Sequence, residues 1–408
     1  MNYHRSSQVS LIGALMLAVL ISSVSVTGIS AAAASDGLQL INADGFGNSN
    51  NVGVGRVFEA QGYLFVGTWN TVEGAILYRS RDGKHFERIS APGFNGNRRN
   101  FTIVGYAWFN GMLYIGNWNQ VQGGSVFRGN ADAEDPTDIV WETITTDGMG
   151  NPRNRAFHGM SVFKDQLYAG TFNLTEGTEI WRTATGDPGS WVQVAPKGLG
   201  QPLVNSDAAL SHEHGGYLYF GIESAGAIIR PPLVGTQLWR TDGNLSPPYD
   251  QWEQVNVDGF GNEFNHNILG LASFKGHLYA GTWNFTQGLE VWRAKTSPGH
   301  SHSIPFSSWE KVNQNGFGDP SRNQATNFLL THGGRLYLVG YGDGGEGRGL
   351  FTATRDGTSW HEITGSGFNE APVDGFQWAA AFQGRIYVGA HSGNGPLQLW
   401  AYKARAEP

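Results

Sequence analysis

The stretch Tyr279–Arg293, YAGTWNFTQGLEVWR, decides the fold, because the same pattern recurs along most of the chain. Close copies stand at Phe65–Arg79 (FVGTWNTVEGAILYR), Tyr114–Arg128 (YIGNWNQVQGGSVFR) and Tyr168–Arg182 (YAGTFNLTEGTEIWR). Looser ones follow at Tyr219–Arg240, Tyr337–Thr352 and Tyr387–Tyr402, making seven. Each reads as a short apolar strand, a loop with Asn and Gly, and a second strand of alternating character, which is a β-hairpin.

The flanks recur as well. In the fifth unit an A strand over Asn265–Phe274 turns at Lys275-Gly276 into a B strand over His277–Thr282; C follows at Leu289–Ala294 and D at Trp309–Asn313. The Gly-rich loop Gln314–Ser321 leads to the next unit. Asn51, Asn100, Asn154, Asn205, Asn265 and Asn323 open the A strands, 49 to 60 residues apart, and Val373-Asp374 takes that place in the last unit. That period suits four short strands and their turns. The expected fold is all-β: a seven-bladed β-propeller of four-stranded antiparallel blades. The last unit supplies A (Gln377–Phe382), B (Arg385–Ala390) and C (Leu397–Tyr402) and then the chain stops, whereas Leu38–Asn42 and the loop Asp44–Asn48 copy the D strand and loop of Glu253–Asn262. The N-terminal strand is therefore expected to complete the last blade and remove a free sheet edge.

Two C-to-D turns, Ser80-Arg81-Asp82-Gly83-Lys84-His85-Phe86 and Thr354-Arg355-Asp356-Gly357-Thr358-Ser359-Trp360, resemble shortened Asp-boxes, the turn motif of sialidase-like secreted propellers. They lack the residue usually found between Asp and Gly. In those families the box lies on the face away from the active site, so the resemblance implies a fold and no activity.

Arg5, the apolar run Leu11–Ile21 and Ala31–Ala34 form a three-part secretory leader, so residues 1–34 are read as a signal peptide and 35–408 as one propeller domain. The expected location is secreted, periplasmic or extracellular, with no membrane span after processing and the protein a monomer. Cysteine is absent, so stability rests on burial and sheet ladders. Glycine, at 59 of 408 residues, suits many tight turns. A net charge of −7 without a basic tract argues against nucleic acid as partner.

The rim bearing the D-to-A and B-to-C loops is the expected working face, since the A-to-B turns are too short to build a pocket. The repeated Trp-Asn pairs there (Trp69-Asn70, Trp118-Asn119, Trp283-Asn284, with Phe172-Asn173) are expected to be scaffold first and sugar platform second. The loops Asp44–Asn48, Asp147–Asn151 and Asp258–Asn262 read as turns with glycine at positive φ rather than as calcium sites.

Departures from the repeat mark the candidate site. They are Asp207, His158, Asn327 and Gln377-Trp378 on A strands, Ile222-Glu223-Ser224 in place of T-W-N with the insertion Ala225–Pro232, and Asp343 to Arg348 in the sixth unit. His212 and His214 share a strand face, but no third ligand is specified, so no metal and no cofactor is expected. Arg98, Arg99, Arg153, Arg155 and Arg322 lie near D-to-A loops and suggest an anionic ligand. The expected partner is a glycan, such as a uronate-containing polysaccharide. If the protein is an enzyme, one assignment is β-elimination, with Arg155 neutralising the carboxylate, His158 or His212 as base and Tyr106 as acid. The alternative is hydrolysis by Asp207 and Glu223. A lectin or protein-binding propeller stands as the non-catalytic reading.

Overall fold

The computed structural model describes residues 37–224, 234–295, 308–342, 349–363, 375–391 and 395–403. The proposed leader, the insertion in the fourth unit, residues 343–348 and Val373-Asp374 lie outside them. Within them the chain is all-β, and its strands associate in antiparallel groups of four. In the first group Gly53–Ala60 (A) pairs with Tyr63–Trp69 (B), which pairs with Leu77–Ser80 (C), which pairs with Glu87–Arg88 (D). The same order runs through the groups whose A strands are Thr102–Phe109, Ala156–Phe163, Asn205–His214, Asn267–Phe274 and Leu329–His332. The D strands are often only two residues long, shorter than the alternation suggests. In the last group Gly375–Phe382, Arg385–His391 and Gln398–Lys403 are joined by Leu38–Asn42, which pairs antiparallel with the third strand in the register Leu38↔Tyr402 and Leu40↔Trp400. Four-stranded sheets whose innermost strands face a shared centre make this a β-propeller.

Neighbouring groups join through single backbone pairings where one B strand ends and the next A strand begins: Trp69↔Thr102, Trp118↔Ala156 and Phe172↔Asp207. The recurring asparagines work at this seam. Each opening Asn donates its amide to a carbonyl of the preceding D-to-A loop, as in Asn51 Nδ2 to Gly45 O at 2.8 Å and Asn265 Nδ2 to Gly259 O at 2.9 Å. The Asn of T-W-N then donates to the opening Asn, at 2.9 Å for Asn70–Asn51, Asn119–Asn100 and Asn173–Asn154. Its own Oδ1 caps the B-to-C loop, as Asn284 does for the amides of Thr286 and Gln287.

The D-to-A loops place glycine at positive φ, as expected, and they place the following residue there too. Phe46, Phe94, Met149, Leu199, Phe260 and Phe317 all have φ between 54° and 64°. A left-handed non-glycine costs about 1–2 kcal/mol, comparable to the roughly 1.5–3 kcal/mol that burying a large apolar side chain returns. The ring is the compensation: Phe260 stacks on Trp292 at 5.2 Å and meets Trp309 edge-on, and Phe94 stacks on Phe127 at 5.0 Å. The loop aspartates are occupied in the turn itself, Asp44 Oδ1 accepting from Asn42 Nδ2 and the Gly47 amide.

Candidate functional site

The A strands do not run as ideal strands past the centre. The register of the A–B pairs shifts between Val54 and Arg56, Ile103 and Gly105, Phe157 and Met160, Ile268 and Gly270, and Phe376 and Ala379; the fourth pair shifts twice, between Asn205 and Asp207 and between Ala208 and Leu210, while Leu329–His332 pairs with Arg335–Val339 without a shift. A bulge re-aims the extra residue out of the ladder. The residues it re-aims, including Val104, His158, Ala209, Leu269 and Gln377, line one central cavity of about 180 Å³. One water needs roughly 10–15 Å³ on this measure, so the cavity holds a small ring with its solvent.

The wall is completed by residues at or just beyond the ends of the B strands. Trp69, Trp118, Phe172, Glu223, Trp283, Tyr341 and His391 are one column of the repeat, and all seven line the cavity. The T-W-N motif therefore divides: its Asn ties hairpins together, and its Trp faces the central space. The Trp is scaffold as well, as expected: Trp283 Nε1 donates to Thr326 O of the next unit at 3.0 Å, and Trp118 packs in a buried cluster with Val104, Ala156 and Phe172.

At the centre is a charged cluster. His158 Nδ1 lies 2.6 Å from Asp207 Oδ2, and both side chains are largely buried. Asp207 faces Glu223 across the strand pair. Burial, and then the Asp207 charge, push the Glu223 carboxyl up to about 8, because two adjacent carboxylates in a poorly solvated site are not both ionised. Glu223 Oε2 accepts a hydrogen bond from Asn267 Nδ2 at 3.2 Å. Arg56, also buried, stacks on Trp378 with its guanidinium carbon 3.3 Å from the ring centroid. Burial lowers its pKa to about 9, leaving it a cation at neutral pH. His266 is buried at the cavity wall and held down to about 4, hence neutral.

Eight of the fifteen buried side-chain polar atoms that lack a hydrogen bond among the described residues belong to this one cavity. They include Arg56 Nη1, Trp118 Nε1, Asp207 Oδ1, Asn267 Oδ1 and Gln377 Oε1. Buried polar atoms are normally satisfied, so their concentration marks a place that expects an occupant.

The structure brings together His158, Asp207, Glu223, Asn327, Gln377 and Trp378. It does not bring the others to them. His212 lies five residues beyond Asp207 on the same strand, about 16 Å at 3.3 Å per residue, and bonds Ser273 Oγ at 2.8 Å. Tyr106 stacks on Phe58 at 4.0 Å, outside the cavity lining. Arg98 and Arg99 are exposed loop residues. Arg153 pairs with Glu176, and Arg322 with Glu362 at 3.1 Å, so charge on the rim is met by charge on the rim. Arg155 is half-buried, its pKa lowered by desolvation, and does not line the cavity. Asp343 and Glu346 lie outside the described residues. Sequence reasoning missed Arg56, His391, Asn267 and Thr102 as lining residues. The signal was available for the first two: Arg56 stands where other units carry Gly105, Gly159 and Gly270, and His391 replaces the Trp of T-W-N.

Among the described residues no group of three or more His, Asp or Glu side chains is placed to hold a metal ion, and no helix is long and apolar enough to cross a membrane.

No protein-family profile and no curated protein matches the chain. Solved structures do. U3-55K is similar over 91% of this chain and 99% of its own, at 9% identity and a TM-score of 0.52. The acylaminoacyl peptidase of Pyrococcus horikoshii is similar over 88% of this chain and 53% of its own, at 9% identity and a TM-score of 0.50. The β-propeller domain of the trilobed protease of Pyrococcus furiosus aligns with 86% of this chain and 95% of its own, at 7% identity and a TM-score of 0.47. At such identities the likeness is one of fold alone.

Proposed function

We propose that the chain closes as a seven-bladed propeller, with Leu38–Asn42 as the outer strand of the last blade, and that its central cavity is an acid–base site for one sugar-sized unit of a glycan. The observation that carries the site is the His158–Asp207 pair set beside the buried Glu223, which faces Asp207 across the strand pair, in an aromatic-walled cavity. Asp207 accepts from His158 Nδ1–H, which leaves Nε2 with a lone pair to take a proton. Glu223 holds a proton at neutral pH and is the matching donor. Asp207 acts through His158 and is a positioning residue. Aromatic faces suit the CH faces of a pyranose, and the orphaned acceptors suit its hydroxyls.

Between the two cleavage chemistries this arrangement favours β-elimination, because Asp207 is engaged by His158 and is not a free partner for Glu223 as a hydrolytic pair requires. In elimination His158 takes the proton from the carbon next to a carboxylate, a C=C bond forms, the C–O bond at the β-carbon breaks, and the leaving oxygen takes the Glu223 proton. The test is incubation with acidic and neutral oligosaccharides, following ultraviolet absorbance and new reducing ends. An unsaturated product that His158→Ala and Glu223→Gln each reduce by about 10²-fold or more is the expected result. Reducing ends without absorbance mean hydrolysis, and binding without product means a lectin.

A further inference from the structure

The cavity holds one arginine that none of the described residues meets with a hydrogen bond or an ion pair. Arg56 is 4% exposed, and none of its N–H groups donates a hydrogen bond to a described residue. Tyr106 and Asp207 act on it electrostatically without contact, and Asp207 gives its Oδ2 to His158 instead. Trp378 covers one guanidinium face, which fixes the plane of the fork and leaves its edge for a planar anion. Meanwhile Asp207 Oδ1 and Asn267 Oδ1 are buried acceptors without donors in the same cavity. The Asn267 amide is oriented by its bond to Glu223, so its oxygen is the free end. Unpaired, a buried cation destabilises the fold. Arg56 and Asp207 line the same cavity and attract each other without forming an ion pair, so a ligand with an anionic acceptor and hydroxyl donors is complementary to the two together.

We infer that Arg56 is the anchor for a ligand carboxylate, and that the ligand is a polyhydroxy monocarboxylate of the hexuronate class whose hydroxyls donate to Asp207 Oδ1 and Asn267 Oδ1. This rests on the sugar-site reading above and names its substrate class. The anchor differs from the loop arginines that the sequence suggested: it lies inside the cavity, on the innermost strand of the first unit. A carboxylate held by the Arg56 fork is also what acidifies the adjacent C–H for His158.

The test is equilibrium binding by calorimetry of matched pairs: D-galacturonate and D-glucuronate against galactose, glucose and the methyl esters of the two uronates, with acetate and benzoate as carboxylates that are not sugars. The expected result is uronate affinity about tenfold or more above the neutral partners, a preference lost in Arg56→Gln and partly kept in Arg56→Lys, with neutral-sugar affinity unchanged in both. If Arg56→Gln does not fold, the parent's acid-to-neutral ratio and Arg56→Lys still decide. Neutral and acidic sugars binding alike overturns the inference and leaves the sugar site standing. Arg56-dependent binding of benzoate or acetate with no sugar bound overturns the sugar site and keeps the anion anchor. No binding by any member overturns both.

Discussion

Glu223 carries a proton at neutral pH because its neighbours leave it little solvent and a negative charge at the facing position. Its folded pKa is raised above the ordinary carboxylate value of 4.5. The native state therefore keeps a proton that the unfolded chain releases, and the contribution to stability, full below pH 4.5, is lost as pH rises from there towards about 8. Glu223→Gln removes the loss. The variant should match the parent near pH 4.5 and exceed it by about 2–4 kcal/mol at pH 8, measured by denaturant unfolding at several pH values. A constant difference across that range would mean that Glu223 is ionised in the native protein. Asp207 and Glu223 were legible in the sequence as exceptions in a repeat, since a scaffold position has no need of a carboxylate. Arg56 was an exception of the same kind and escaped because strict alternation from Gly53 and Gly55 points it away from the centre.

The bulge explains that miss at the scale of the element. A register shift in every A–B pair but the sixth changes which parity faces inward, so counting by twos from the start of the unit finds His158 and Gln377 but not Arg56. Nothing in the composition of Val54-Gly55-Arg56 announces the shift; it belongs to the packing of six or more inner strands around one space. The hairpins were legible throughout, because their turns carry local signals such as Lys275-Gly276 with φ of 48° and 73°. The double use of T-W-N was not, since a Trp and an Asn repeated together look alike to the eye. Their roles separate by experiment. Asn284→Ala removes the buried bond to Asn265 Oδ1 and two caps of the B-to-C loop, and should cost about 1–3 kcal/mol of stability. Trp283→Phe keeps an aromatic face and should cost less stability than Asn284→Ala while weakening glycan binding. Thermal melting beside calorimetry distinguishes the two, and the reverse ranking would return Trp283 to the scaffold.

For the whole molecule, the proposed closure rests on contacts between the two ends of the chain. Leu38–Asn42 lies against Gln398–Lys403, Gln383 Nε2 donates to Arg81 O at 2.8 Å, and Gly83 is packed so closely on Tyr387 that any Cβ there would overlap the phenol. Val54 and Val57 share a buried cluster with Ala380, Phe382 and Leu399. Removing residues 37–48 exposes the edge of Gln398–Lys403 and uncovers Tyr78 and Phe86, which Phe46 contacts. Cooperative unfolding should then shift to lower denaturant, with about 1–3 kcal/mol of stability lost for the partly buried Phe46 alone, and a synthetic peptide of Leu38–Asn48 should restore part of it. Unfolding like that of the parent would mean the first and last units stand without the clasp. The pairing of Leu38–Asn42 with Gln398–Lys403 was the most legible feature of the sequence, because a missing strand at one end and an orphan copy at the other require only counting.

The pairing also decides where anything attached to this protein must sit. Gly37 and Lys403 are joined by a backbone hydrogen bond of 2.9 Å, so the described chain begins and ends at one point on its outermost strand pair. The cavity is on the innermost strands, and a sheet of four spaced at about 4.8 Å puts some 14 Å of packed strand between them. A tether, a fused domain or a solid support joined at either end therefore leaves from the circumference and does not shade the opening.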